Sequence, residues 1–424
     1  MSHKTFFALL IFGWGTFLST AQADKLLIYM DLEQADHLKA YGVAYKALEL
    51  GYKVEWLLNY RGGSFMIPES PDIARICHLR GVAYTIVGGN QITQIYKEIE
   101  EKNMEDVLLE KAPSIAIYTP PNKEPWDDAV TLALTYAQMP YTTLWDEQVL
   151  AGKLEEYDWL HLHHEDFTGQ YGKFYGSYRN ALWYKKEVAI NQEMAKRLGL
   201  SKVSELKKTV ARAIKDYVAR GGFLFSMCSA TDAYDIGLAA AGVDIVDAPF
   251  DGDPPDPNCQ ARLDYSKTFA FTNFKLITNP LVYEFSDIDI SPQNGYPARG
   301  PLQDSFSLFE FSAKYDPVPT MLTQDHVSII KGFMGQTTAF RKDLIKKHVI
   351  IMGQGVANPN AVKYLHGNYG RGTFTYLGGH DPEDYTHYVY DPPTNLALYK
   401  NSPGYRLILN NVLFPAAKKK KRKT

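Results

Sequence analysis

The stretch Gly221 to Ala241, GGFLFSMCSATDAYDIGLAAA, constrains the fold more than any other part of the chain. Phe223 to Met227 is a short, continuous apolar run behind a glycine pair, the pattern of a strand buried on both faces. From Asp232 to Ala241 apolar residues return at helical spacing. A buried strand that runs directly into a helix is the unit of a parallel sheet covered by helices. Cys228 stands at the junction, with the small residues Ser226 and Ala230 near it. A turn this tight pushes its apical side chain out of the sheet end, the geometry of a nucleophile elbow. The unpaired N–H groups of the helix start, Ser229 first, would stabilise a thiolate and an oxyanion formed beside it. A free cysteine that merely packs is the alternative.

The same alternation recurs along the chain. Lys25–Met30, Lys53–Leu58 and Val82–Val87 read as strands, separated by helical segments at Gln34–Leu50 and Asp72–Leu79. Residues 24–110 are therefore expected to form a small α/β layer. Arg61-Gly62-Gly63 lacks the lysine and spacing of a P-loop and reads as a turn. The pattern restarts at Ser114–Tyr118 and continues through Tyr141–Leu144, Trp159–His163, a helix at 204–219 and the Cys228 strand. Residues 111–415 are expected to form a larger α/β domain on a parallel sheet, whose ligands gather beyond the carboxyl ends of its strands. Residues 260–345 carry only short β-like runs, such as Thr268–Thr272 and Val327–Phe333.

Residues 1–23 have the form of an export signal: Lys4, an apolar run from Phe6 to Phe17, and the small-x-small site Ala21-Gln22-Ala23. The apolar run is short for a span, and no later stretch reaches the roughly 20 apolar residues that a membrane helix needs. A periplasmic or secreted protein without a transmembrane segment is expected. The 45 basic residues include Lys4 and the six of the tail Lys418–Lys423; removing those seven leaves 38 against 48 acidic ones. An acidic body argues against nucleic acid as partner. The basic tail, 416–424, could make weak contact with an anionic envelope surface. Three cysteines, Cys77, Cys228 and Cys259, leave at least one thiol unpaired, and Cys228 is the expected one.

Trp159–Asp166, WLHLHHED, is the densest cluster of ligand-type side chains. On a strand His161 and His163 share a face, while His164, Glu165 and Asp166 fall in the loop beyond. A catalytic zinc needs three converging ligands, and local spacing supplies no third, so neither a metal nor another cofactor is expected. The expected role of His164, Glu165 and Gly169 is to line the pocket of the elbow, as oxyanion donor or substrate contact. Gly169–Tyr184 is rich in glycine and aromatics, which suits a lid, a sugar-stacking surface or plain packing. In the acidic loop Asp247–Cys259, Pro254, Pro255 and Pro257 do not suit the regular offsets of a calcium loop.

A second strand-then-polar junction comes late: Gly372–Leu377, then Gly378-Gly379-His380-Asp381-Pro382-Glu383. In a parallel sheet His380 would share a rim with Cys228. A nucleophile, a base and an orienting carboxylate suffice to activate a thiol, and Cys228, His380 and either Asp381 or Glu383 supply the types.

This arrangement resembles the class I glutamine amidotransferase-like superfamily, whose members pair an elbow cysteine with a histidine near a glutamate. The resemblance spans roughly 112–415 and implies a flavodoxin-like parallel sheet. More narrowly, NYRGGSF, LHLHHEDFTGQYGKFYGSYRNA, FSMCSATD, FEFSAKYDP, KGFMGQTT, GGHDPEDY and SPGYRLILNNVLFPAAKKKK are similar to a bacterial exported group often labelled asparagine synthetase B. The chain departs from the patterns: Ser226 and Ala230 replace the usual elbow glycines, and HDPE has one residue more than His-Pro-Glu. It also lacks the N-terminal cysteine and S-G-G-x-D-S signature of ATP-dependent asparagine synthesis. YGRGTFTYLGGHD resembles the trehalose-utilisation (ThuA-like) branch, which implies carbohydrate. The resemblance thus implies a thiol amidohydrolase acting on a small amide, or a catalytically silent glycan- or envelope-binding protein.

Overall fold

The computed structural model describes residues 23–417 apart from 123, 302 and 387; the expected export signal up to residue 22 and the basic run from 418 lie outside the described residues. The chain builds a mixed α/β fold on two sheets. The first holds β1 Lys25–Ile28, β2 Val54–Leu58, β3 Ser64–Pro68, β4 Thr85–Val87 and β5 Glu105–Leu109, in the order β4-β1-β3-β2-β5. Every pairing in it is antiparallel. The Arg61–Gly63 turn forms as expected and sets one of these pairings, β2 with β3. All three of its residues take positive φ, 45°, 78° and 88°, which folds β2 straight back onto β3. Gly62 has no room for a side chain there: a Cβ would lie 2.2 Å from Met30 O. Helices His37–Glu49, Pro71–Arg80 and Gly89–Glu101 complete this part.

The second sheet contains β6 Ile115–Tyr118, β7 Thr142–Leu144, β8 Trp159–Leu162, β9 Phe223–Met227, β10 Phe306–Leu308, β11 Ile329–Ile330, β12 Phe340–Arg341, β13 Ile350–Gly355, β14 Ala361–Tyr369 and β15 Gly372–Leu377. Its order is β11-β10-β13-β14-β15-β9-β8-β6-β7, with β12 beside β14 off that path. The half β15-β9-β8-β6-β7 is parallel, as the continuous apolar runs imply. The other half is antiparallel, built from hairpins and returning loops. The expected all-parallel sheet is therefore corrected to a mixed one.

Helix Val203–Ala219 lays Leu206, Val210, Ile214, Tyr217 and Val218 into the core, the three-four spacing of an amphipathic helix. Helix Pro403–Leu413 is buried along its whole length. It links the sheets: one apolar cluster runs from Leu26 and Trp56 through Leu409 and Val412 to Phe225 and Leu377. Arg406 on this helix donates to Met30 O at 3.0 Å and to Gly62 O at 2.7 Å, which ties the helix to the first sheet's turn. No helix among the described residues is long and apolar enough to cross a membrane.

Parallel register sets the place of the site. Leu162 pairs with Ser226 and Met227 with Leu377, so β8, β9 and β15 end side by side. His163, Cys228 and Gly378 follow directly on those ends.

Candidate functional site

Strand β9 ends at Cys228, whose φ is +50°, and helix Ala230–Ala239 begins two residues later. A left-handed non-glycine residue stores about 1–3 kcal/mol of strain and persists only where its surroundings impose it. Here Ala230 N–H donates to His163 O at 3.0 Å and Ser229 Oγ reaches His164 O at 3.3 Å, which ties the elbow to the end of β8. The helix behind the elbow also needs a close approach. A Cβ at Gly237 would lie 2.5 Å from Phe167 O, so the 163–170 loop packs directly on helix backbone. The elbow expected from the sequence is present.

The thiol is fully buried. A strap, residues 333–338, crosses it: Gln336 N–H donates to Sγ at 3.2 Å, while His380 N–H donates to Met334 O at 2.5 Å and Gly379 N–H to Thr337 O at 3.0 Å. A methyl group placed on Gly335 would stand 2.9 Å from Sγ and 3.0 Å from His380 N, so strap, sulfur and histidine meet at one point. Gln336 Nε2 pins the strap by donating to Gly172 O and Tyr283 O, both at 2.8 Å. Burial pushes the Cys228 thiol up to about 11, against the opposing N–H groups of Gln336, Thr337 and Ser229. One turn into the helix, burial raises Asp232 to about 7 despite the hydrogen bond from Thr337 Oγ1 at 2.8 Å.

His380 is on the same rim, but its imidazole is turned toward other imidazoles. Its Nδ1 lies 2.8 Å from His163 Nε2, and its ring stacks on His164 at 4.4 Å between centroids. Its Nε2 faces Asp127 Oδ1 at 3.7 Å. The two acids expected to orient it point elsewhere. Asp381 is fully buried and accepts from Tyr405 Oη at 2.8 Å and from Glu383 N–H at 2.8 Å. Glu383 is half-buried beside Ser402, and burial raises its carboxyl. The turn after His380 folds both carboxylates toward helix Pro403–Leu413, and Asp127 faces the ring instead.

Asp128 anchors the imidazole cluster. It caps helix Ala129–Ala137, with Oδ1 accepting from Val130 N–H at 2.7 Å and Thr131 N–H at 2.9 Å. Its Oδ2 faces His161 Nε2 at 3.2 Å and His163 Nδ1 at 3.3 Å. Burial opposes its charge, but the two imidazoles outweigh burial and hold the carboxyl well below the usual range. Burial in turn lowers His163 to about 4. His161 points its Nδ1 at Phe225 O, 3.1 Å away, so it supports the strand end.

Two small cavities flank the cluster, separated by Trp126, His164 and Phe174. One, about 80 Å³, is lined by His380, the strap residues Gly335 and Gln336, and Tyr283. The other, about 20 Å³, holds Glu124, Glu165, Asp166 and Glu187; burial raises Glu124 and Glu187 to about 8 and Glu165 well above its ordinary range. Glu165 also accepts from His163 N–H at 2.7 Å, which shapes the loop. Gly169 lines this second cavity with φ +87°, and a Cβ there would come within 2.5 Å of Ser204 Cα, so its main role is the turn. In the aromatic stretch, Phe174, Tyr178 and Trp183 pack on one another and on Trp126.

No protein-family model matches the chain. No curated protein matches it either. Solved structures similar to it are remote. Two are the cytoplasmic proteins STM3548 and STM1381 of Salmonella typhimurium, each 11% identical, covering 72% of this chain and 100% of theirs, at TM-scores of 0.33 and 0.35. A third is an exo-beta-1,4-mannosidase, Op5Man5, from Opitutaceae bacterium strain TAV5: 11% identical, covering 63% of this chain and 31% of its own, at a TM-score of 0.26. Likenesses this distant carry no argument about activity.

Of the residues expected from the sequence, Cys228, Ser229, His164 and His380 gather at one rim, while Asp381 and Glu383 turn away from the ring. Asp127, Asp128 and the strap were missed. The Asp pair before an apolar helix is a recognisable cap signal, but nothing local links it to imidazoles. His163 was visible on its strand; its meeting with His380 was not.

Proposed function

We propose that the chain is an exported hydrolase of the class I glutamine amidotransferase-like type, related to the group labelled asparagine synthetase B, that cleaves a small carboxamide by thiol chemistry. The observation that carries this reading is the elbow: Cys228 at φ +50° directly after a parallel strand, with strap Gly335 packed between its sulfur and the His380 backbone. Catalysis would begin with the strap lifting and the His380 ring turning toward Sγ. Sγ attacks the carboxamide carbon as His380 takes the thiol proton, and the oxyanion is met by backbone N–H groups, Ser229 first. His380 then delivers the proton to the departing amine, and water hydrolyses the thioester to carboxylic acid and free thiol. Asp127 is the carboxylate placed to hold the imidazolium. The test is turnover of a panel of small amides, glutamine, asparagine and peptidoglycan-type amides among them. Wild type should release ammonia or amine, and Cys228→Ala and His380→Gln should not; turnover unchanged in Cys228→Ala overturns the thiol mechanism.

A second reading is a glycan- or envelope-binding protein on the same fold. It is favoured by the sealed thiol and by the aromatic walls of the cavity beside it, Trp126, Phe174 and Tyr283. Retention on immobilised glycans by wild type and Cys228→Ala alike, with no amide turnover, would select it.

A further inference from the structure

We propose that His163, His164 and His380 form a site for one divalent transition-metal ion of zinc type, open toward the cavity that Gln336 and Tyr283 line. This site takes the same His380 imidazole that the hydrolase reading uses as its base, so the two are alternatives for that ring, and the metal site does not need thiol chemistry.

Three imidazoles offer ligand nitrogens that all lie within 4.8 Å of one another. Local spacing could not supply a third ligand, but the parallel register does, by setting the end of β15 one strand away from the elbow and two from β8. The orientation of the rings is the second argument. A carboxylate only accepts, so Asp128 Oδ2, 3.3 Å from His163 Nδ1, selects the tautomer with hydrogen on that nitrogen. The lone pair of His163 Nε2 then points at His380 Nδ1, 2.8 Å away. On its far side His380 meets a second acceptor, Asp127 Oδ1, at 3.7 Å. The ligand nitrogens of His163 and His380 thus face each other, with a carboxylate behind each ring.

The surroundings match a metal-binding pattern. A histidine whose outer N–H faces a carboxylate is the usual second layer of a zinc site, fixing tautomer and ring. Three protein ligands with an open fourth position is the catalytic form of such a site; a structural site would be closed by a fourth. His161 is committed to Phe225 O and Asp128, and so belongs to the support. With metal–nitrogen bonds of about 2.0–2.1 Å in a tetrahedral arrangement, neighbouring ligand nitrogens stand about 3.3 Å apart, so loading has to fan the rings out from their stack. Nitrogen-only ligation selects zinc, cobalt, nickel or copper over magnesium or calcium.

The experiment uses the full chain, stripped with chelator and titrated with Co²⁺ and Zn²⁺. One equivalent of Co²⁺ should give visible absorption of the four-coordinate type, displaced by one equivalent of Zn²⁺. Zn²⁺ affinity should fall about 10- to 100-fold in Asp128→Asn and stoichiometric binding should vanish in His164→Gln, while Cys228→Ala binds as wild type. The cobalt spectrum of the unaltered chain needs no variant, so a misfolded mutant cannot obscure the result. Absence of stoichiometric Co²⁺ or Zn²⁺ binding to the wild-type chain overturns the site. So does binding that survives loss of the imidazoles.

Discussion

The backbone N–H of Gln336 donates to the sulfur of Cys228 across 3.2 Å, linking positions 108 residues apart. This contact makes the strap over the elbow both a lid on the thiol and a partner for it. The sulfur that the proposed reaction needs is a buried group that accepts a hydrogen bond from the strap.

Loosening the strap should therefore expose the thiol. Gln336→Ala removes two side-chain hydrogen bonds, to Gly172 O and Tyr283 O. At about 0.5–1.5 kcal/mol each, their loss should speed alkylation of Cys228 roughly 5- to 150-fold at neutral pH. Cys77, buried in a different helix, should react at its former rate. Peptide mapping of iodoacetamide adducts over time checks this. Equal rates in wild type and variant would mean that the strap does not gate the sulfur.

Filling the contact point should destabilise the chain. Gly335→Ala puts a methyl 2.9 Å from Sγ and 3.0 Å from His380 N, and overpacking of this kind costs about 1–3 kcal/mol. Adding Cys228→Ala removes one of the clashing atoms, so the double variant should recover part of the loss. A double-mutant cycle by urea unfolding measures it. Strict additivity would show that the two residues do not touch.

Acid should weaken the fold in part through His366. This residue on β14 is buried, its Nδ1 lies 3.1 Å from Thr375 Oγ1, and burial lowers it to about 4. A histidine whose folded value lies below the unfolded 6.5 binds protons preferentially when unfolded. Its contribution is complete above about 6.5 and is lost as pH falls toward 4, by up to about 3 kcal/mol. His366→Gln carries no such charge, so its stability between pH 6.5 and 4 should decline less steeply. Parallel slopes for the two proteins would assign the acid sensitivity to other groups.

The parallel half of the large sheet was legible because β6, β8, β9 and β15 are short apolar runs with glycine or polar punctuation. The antiparallel half was not. In β14 a fully buried lysine, Lys363, sits mid-strand and is neutralised by Asp304 at 2.6 Å, which breaks the apolar pattern that marks a buried strand. Val327–Phe333 yields only the two-residue β11, and Thr268–Thr272 only an isolated bridge at Phe271. Much of 260–345 is instead held by side-chain to backbone bonds, such as the three N–H groups of Phe269, Ala270 and Phe271 on Asp235, which have no period to read. At the site, Cys228 and His380 were legible as residues just past strand ends. The partners of His380 were not, because Asp127 precedes a helix and His163 follows another strand, and only the fold brings the three together.

The most direct measurement of the central claim is intact-protein mass spectrometry after incubation with a carboxamide analogue that carries an electrophilic carbon where the amide carbon would be. One covalent adduct per chain, mapped to Cys228, absent in Cys228→Ala and strongly slowed in His380→Gln, is the result expected of a thiol hydrolase. No adduct on the folded chain, or modification confined to Cys259 and Cys77, would contradict it.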